Sequence, residues 1–203
     1  MNYQLLVPFS IGMFILAASP GPGVFGSVSK AMSSGFIASL FFIGGLVLGD
    51  IIFLIFAILG MSFISQLMGE LFFFIKILGG IYLIYLGIKM FLAKEETREL
   101  KEEKAMNNFK TFTGGFLVTM GNPKPIIFYA SVLPTILNMN EIRFFEGLFM
   151  VILVALISYI VLGTYSLLAA LGRKVVQKQN LTGMLNKGAG TVMISTGAYI
   201  VVK

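Results

Sequence analysis

The chain has 203 residues, of which 57% are hydrophobic and only 12% charged, with a formal charge of +6 and neither cysteine nor histidine. A soluble domain is nearer half apolar and a quarter charged, so the composition is that of an integral protein of the lipid bilayer. The missing residues exclude disulfides, thiol redox chemistry, most zinc or haem sites and histidine-based acid–base catalysis. The positive charges fill short gaps between apolar runs and form no basic stripe interleaved with aromatics, which argues against nucleic acid as a partner.

A membrane span needs about 20 apolar residues, and six candidates follow one another along the chain. The first runs from Gln4 to Val28 and is interrupted by "SPGPG". Its start, "MNYQLLVPFSIGMF", lacks a basic leader and a small-residue cleavage site, so it reads as a membrane helix and not as a signal peptide. The second runs from Phe36 to Gly60 and carries Asp50, the only aspartate in the chain. The third covers Leu71 to Leu92. A polar segment, "KEETRELKEEKAMNN", then separates two halves. The fourth span covers Phe112 to Leu137 and contains "GNPKPIIF". The fifth runs from Phe144 to Leu171 and the sixth from Leu185 to Val202.

Basic residues orient such a chain, because they are retained in the cytoplasm. The loops after spans one, three and five share Lys30, Lys89, Lys94, Arg98, Lys101, Lys104, Lys110, Arg173, Lys174, Lys178 and Lys187. The opposite side has Arg143, Lys203 and, at the mouth of span three, Lys76, which can snorkel to the surface. This predicts a multi-pass cell-membrane protein with both termini outside and residues 94–110 as a cytoplasmic linker.

Two pairs of motifs recur in the same order. "SPGP" at 19–22 matches "NPKP" at 122–125, each interrupting the first span of a group of three. Gly80 and Gly87 in span three match Gly190 and Gly197 in span six. The reading is one membrane domain, 1–203, built from repeats 1–93 and 111–203. Three spans is an odd number, so the second copy must enter from the opposite face. The predicted fold is therefore all-α, with six transmembrane helices forming two inverted three-helix repeats whose helices one and four are broken.

Broken helices at matching positions point to a binding site. Ser19 and Asn122 are good N-cap types, and Pro20 and Pro123 suit a first helical position. Each break is then the start of a half-helix whose free N–H groups favour a carboxylate. Gly21, Gly23 and Gly121 permit a turn or a close approach. An acid inside the membrane is a functional-site candidate, so Asp50 is expected to bind an amino group or carry a coupling proton, with Lys124 as its natural ion-pair partner. Tyr82, Tyr85, Tyr129 and Tyr159 are candidate donors in a cavity or packing residues. The phenylalanines of 41–42, 72–74 and 144–145 suit lipid contact or packing. The glycine-rich faces of spans two, three and six suit internal packing or a homodimer contact.

"SPGPG", "GLVLGD", "KILGGIYLIYLGIKMF" and "GNPKPIIFY" followed by "LP" resemble the LysE/RhtB family of amino-acid exporters over essentially the whole chain. The resemblance implies efflux of amino acids or close derivatives, driven by a proton or ion gradient. It carries the family's motif residues onto Pro20, Gly21, Pro22, Asp50, Asn122, Pro123 and Lys124. The expected substrate site thus comprises Ser19, Pro20, Gly21, Pro22, Asp50, Gly121, Asn122, Pro123 and Lys124, with Asp50 also the coupling residue. It would take a small zwitterion together with a proton or cation, and no cofactor. The alternative is export of a metal cation or another small solute on the same scaffold.

Overall fold

Backbone N–H and C=O groups find no water in a bilayer, so a spanning segment must pair them internally. The chain does this with helices. A computed structural model describes residues 3–59, 77–78, 80–89, 91–92, 107–129, 142–178 and 181–202, and among them every regular element is helical. In chain order these are α1 (Tyr3–Ala18), α2 (Pro22–Ser34), α3 (Phe36–Ile58), α4 (Gly80–Lys89), α5 (Asn108–Met120), α6 (Pro123–Ile127), α7 (Phe144–Lys178) and α8 (Leu181–Val202).

The expected spans map onto these elements with small shifts. Span two is α3, within two residues of its expected end. Span five is α7, which continues past Leu171 to Lys178. Span six is α8 and starts four residues earlier, at Leu181. Span one is the pair α1 and α2, bent by 56° where they meet, and its second half reaches Ser34. Among the described residues, Phe36–Ile58 and Phe144–Gly172 are each long and apolar enough to cross a bilayer, and the bent pair makes a third span if counted as one. The expectations for Lys76, for Phe72–Phe74 and for most of the polar linker lie outside the described residues.

Helix direction follows from which residues meet. Ser39 at the start of α3 donates to the carbonyl of Ser27 on α2 at 2.8 Å, while Leu46 lies against Gly23, so α2 and α3 are antiparallel. The turn between them is a single residue, Gly35, with φ of +89°. That left-handed conformation is open to glycine at little cost. Ser39 also bonds Ser166 on α7 at 2.7 Å, and Ile58 lies against Gly147, so α3 and α7 are antiparallel too. Helices α3 and α5 run parallel: Gly45 meets the backbone of Phe112 and Phe116, and Gly49 meets Thr119. Lys30 on α2 and Lys110 on α5 consequently lie at one end of the bundle and Arg143 at the other.

Glycines set the closest crossings. Any side chain at Gly45 would run into the carbonyl of Phe112, and one at Gly115 into that of Phe42. A methyl group at Gly87 would stand 2.7 Å from the carbonyl of Gly190, one at Gly190 equally close to that of Gly87, and one at Gly197 2.5 Å from that of Gly80. Small residues let membrane helices approach until their backbones touch. Gly45, Gly49, Gly87, Gly190 and Gly197 are therefore packed inside the chain.

Two apolar clusters stack along the bundle. One joins Phe9, Met13 and Leu16 of α1 with Phe53 and Leu54 of α3, Met150 and Val154 of α7, and Phe128 and Tyr129 beyond α6. The other joins Val24 of α2, Ile43, Leu46 and Val47 of α3, Leu83 of α4, Val118 of α5, Leu162 of α7 and Met193 of α8. The outer faces are apolar as well, with Leu148, Ile152, Leu156 and Ile160 exposed along α7. Phe144 and Phe145 are exposed, as expected for lipid contact, whereas Phe42 is buried against Gly26 and Gly115.

Candidate functional site

Four of the buried polar residues, Asp50, Thr119, Asn122 and Ser158, gather at one cavity between the two clusters. Asp50 lies on α3 between Val47 of one cluster and Phe53 of the other. It is buried, and among the described residues its carboxylate has no hydrogen-bond or ion-pair partner. The helix beside it is tied to α5 by Thr119, whose hydroxyl donates to the carbonyl of Leu46 at 3.1 Å.

Both helix breaks come to this level. In the second, Asn122 is the N-cap of α6: its side-chain oxygen accepts from the N–H of Lys124 at 3.1 Å, and Pro123 is the first helical residue, as expected. Gly121 before it has φ of −84° and ψ of −2°, a conformation open to any residue, so the turn there does not call on glycine's freedom. The first break corrects the expected assignment. Ser19 is not a cap; it closes the end of α1, its N–H bonding the carbonyl of Ile15 at 3.0 Å and its hydroxyl that of Leu16 at 3.3 Å. The N-cap of α2 is Gly21, extended and without a side-chain cap, and the first helical proline is Pro22, not Pro20. Pro20 is exposed between them.

One contact joins the breaks. The ammonium group of Lys124 donates to the carbonyl of Ser19 at 2.6 Å. Lys124 and Asp50 thus approach the same space without forming an ion pair; the lysine is engaged by backbone left free at the end of α1. Carbonyls of a helix's last turn have no intrahelical partner and carry partial negative charge, which suits a cation.

These groups line one cavity of about 420 Å³, counted out to its mouth. Of the expected site residues, Gly21, Asp50, Asn122 and Lys124 line it. Ser19 takes part through its carbonyl alone, while Pro20, Pro22, Gly121 and Pro123 shape the breaks without lining the cavity. The sequence reading missed Thr119 and Ser158, the polar lining from α5 and α7, and the apolar walls Met13, Leu16, Val24, Leu46 and Leu162. A lone hydroxyl in an apolar helix usually bonds the preceding turn, so nothing in the sequence marks those two. Also unforeseen is Tyr165, which donates to the carbonyl of Ala18 at 2.9 Å and holds α7 against the end of α1. Tyr129 is buried with its hydroxyl 3.6 Å from the sulfur of Met13.

The model of the LysE type translocator family matches residues 14–203. The chain belongs to the LysE-type translocator family. This translocator is 36% identical over 205 residues to an uncharacterized membrane protein of Synechocystis, a match covering 100% of this chain and 98% of the relative. It is 24% identical over 202 residues to a homoserine/homoserine lactone efflux protein of Salmonella typhimurium, covering 98% of this chain and 97% of the relative. It is 27% identical over 128 residues to a leucine efflux protein of Salmonella choleraesuis, covering 61% and 58%. No solved structure matches it. The translocator is therefore a multi-pass membrane transporter and not an enzyme.

Proposed function

We propose that the translocator exports amino acids or close derivatives from the cytoplasm as a secondary transporter of the cell membrane. The observation that carries this reading is the bond from Lys124 to Ser19, which brings the two helix breaks together at a cavity also lined by Asp50. A zwitterion has one charge for each partner. Its ammonium group binds the unpaired carboxylate of Asp50. Its carboxylate binds Lys124, released from the Ser19 carbonyl, and the free N–H groups at the start of α2, where Gly21, Gly23 and Val24 line the cavity. The names of the homoserine and leucine efflux proteins favour the same substrate class. Metal-cation export is less well supported, because among the described residues Asp50 is the only carboxylate in the lining.

The architecture proposed is six spans in two inverted repeats. Helix directions support it: α3, of span two, is parallel to α5, of span four, and antiparallel to α7, of span five. So does the crossing of α4 and α8. Gly80 meets Gly197 and Gly87 meets Gly190, and exchanging each glycine for its repeat counterpart turns one contact into the other. An internal two-fold between those contacts requires this. The apolar clusters on either side of the cavity then serve as alternate gates, and rocking of one repeat against the other opens one while it closes the other. A proton or cation couples at Asp50. The basic residues put Lys30 and Lys110 in the cytoplasm and both termini outside.

The test is efflux from cells loaded with amino acids by dipeptide feeding. Asp50→Asn keeps the shape of the side chain and removes its charge. The expected result is loss of export at wild-type abundance in the membrane. Export by Asp50→Asn at the wild-type rate would refute the role given to the carboxylate.

A further inference from the structure

Two buried side chains at the cavity have no hydrogen-bond or ion-pair partner among the described residues: the Asp50 carboxylate on α3 and the Ser158 hydroxyl on α7. The other buried serine and threonine hydroxyls are engaged: Ser27 on the carbonyl of Val24 at 2.9 Å, Ser39 and Ser166 on each other at 2.7 Å, and Thr119 on the carbonyl of Leu46 at 3.1 Å. Even the exposed Thr164 of α7 bonds back to the carbonyl of Ile160 at 2.7 Å. Ser158 has the same option toward Val154 and does not use it. The two orphaned groups lie near one level. Ser39 meets Ser166 and Ile58 meets Gly147, contacts nineteen residues apart on both helices, which fixes the antiparallel register of α3 and α7. Asp50 then stands opposite Ala155, one turn from Ser158, an axial offset of about 4.5 Å. The two do not bond each other, although a hydroxyl within reach of a carboxylate donates to it, so a gap separates them. Leaving both oxygens buried and unmet is costly, and their retention on facing walls is explained if one ligand group serves both.

We propose that Ser158 and Asp50 together form the seat of the substrate's amino group, and that this seat selects a primary ammonium over an N-substituted one. The inference rests on the amino-acid export reading. An ionised carboxylate only accepts hydrogen bonds, and a hydroxyl can accept as well. What the gap lacks is therefore a group with several N–H donors on one centre. N–H···O bonds of about 2.9 Å let one nitrogen bridge oxygens up to about 5.5 Å apart, which is compatible with an offset of one turn. A primary ammonium has three N–H groups, enough for both carboxylate oxygens and the hydroxyl. The Ser158 O–H can still donate to the carbonyl of Val154, as Thr164 does to Ile160. A secondary ammonium has two N–H groups and a carbon in place of the third, so it leaves Ser158 unmet. Nothing else in the lining fills the gap: the Lys124 ammonium is held by the Ser19 carbonyl at 2.6 Å, and the Thr119 hydroxyl is spent on Leu46. The seat thus counts the donors on the amino group and is indifferent to the side chain.

The test is uptake into inside-out vesicles from cells expressing the full chain at matched abundance. Leucine, alanine and threonine, with any further amino acid that dipeptide feeding shows to be exported, are each measured beside the N-methyl derivative. Wild type is expected to prefer the primary amine of every pair. Ser158→Ala should slow the primary amines by roughly tenfold and leave the N-methyl derivatives unchanged, and Ser158→Thr, which keeps the hydroxyl, should keep the preference. Equal handling of both members by wild type would overturn the assignment and leave the export reading intact. So would a Ser158→Ala protein that moves the primary amines at the wild-type rate, including one whose preference falls only because N-methyl derivatives move faster, since Ser158 would then be a wall and not a partner. If wild type moves no amino acid at all, the export reading falls and this one with it. Should Ser158→Ala fail to accumulate in the membrane, Ser158→Cys, of similar size and a weak acceptor, takes its place under the same outcomes.

Discussion

The two helix breaks share a sequence pattern and differ in how they are built. Residues 122–125 use the first proline of the motif: Asn122 caps through its side chain and Pro123 opens the helix. Residues 19–22 use the second: Gly21 is a bare cap, Pro22 opens the helix, and Ser19 belongs to the helix that ends. A register shift of two residues separates them, and it divides the chemistry of the cavity. The first break presents backbone, an uncapped helix start and the Ser19 carbonyl. The second presents a side-chain cation and spends its own cap on itself. A duplicated motif has become two unlike halves of one site, which is what a molecule with a positive and a negative end requires.

The strongest way to break this comparison is Lys124→Met. It removes the cation and the bond to Ser19 while keeping the apolar stem. Losing one partner of a buried charged hydrogen bond costs about 2–5 kcal/mol, so export should fall by roughly thirtyfold or more with the protein still present in the membrane. Lys124→Arg, a bulkier fork with the same charge, should retain part of the activity. Wild-type export by Lys124→Met would mean that the second break supplies shape and not charge.

A matched pair sharpens the contrast at smaller effect. Asn122→Ala removes a side-chain cap worth about 1 kcal/mol, and the loss should appear as a lower unfolding midpoint of the purified protein. Gly21→Ala has no cap to lose. Its new methyl group would stand 3.6 Å from the Lys124 stem, ordinary contact, so stability should hold within about 0.5 kcal/mol. That methyl group nevertheless projects where a carboxylate must approach the α2 backbone, and export should drop severalfold. If both variants lose stability alone, or transport alone, the division of labour is wrong.

Much of this was legible in the sequence, and the reasons are specific. Span two was found within two residues because a long apolar run in a membrane protein has few alternatives to a helix. Asp50 and Lys124 stood out because a charge inside such a run has to be accounted for by function or pairing. Their relation did not: whether Lys124 pairs with a carboxylate or with a carbonyl depends on where α1 ends, and a proline-rich motif admits more than one ending. Ser158 was invisible for a different reason. A serine's meaning depends on whether its hydroxyl is satisfied, which is a property of the packed bundle and not of the neighbouring residues. The glycine pairs were legible as a spacing, but their partners across α4 and α8 became visible only once the helices crossed.

The smallest expected effect belongs to Pro20→Ala, and it tests the register shift directly. By motif alignment Pro20 is the counterpart of Pro123, which opens α6. By structure it is an exposed residue ahead of the cap, at an α1 terminus already closed by the Ser19 N–H on Ile15 and the Ser19 hydroxyl on Leu16. Replacing it loosens the unfolded chain, an effect of less than about 1 kcal/mol, and removes no helix-opening residue. Export should stay within about twofold of wild type, well above that of Pro22→Ala, in which Gly21 also loses the constraint that a following proline places on it. If Pro20→Ala is instead the more damaging of the two, the break is set two residues earlier, Ser19 recovers its place as the cap, and the carbonyl that holds Lys124 is no longer the end of a helix.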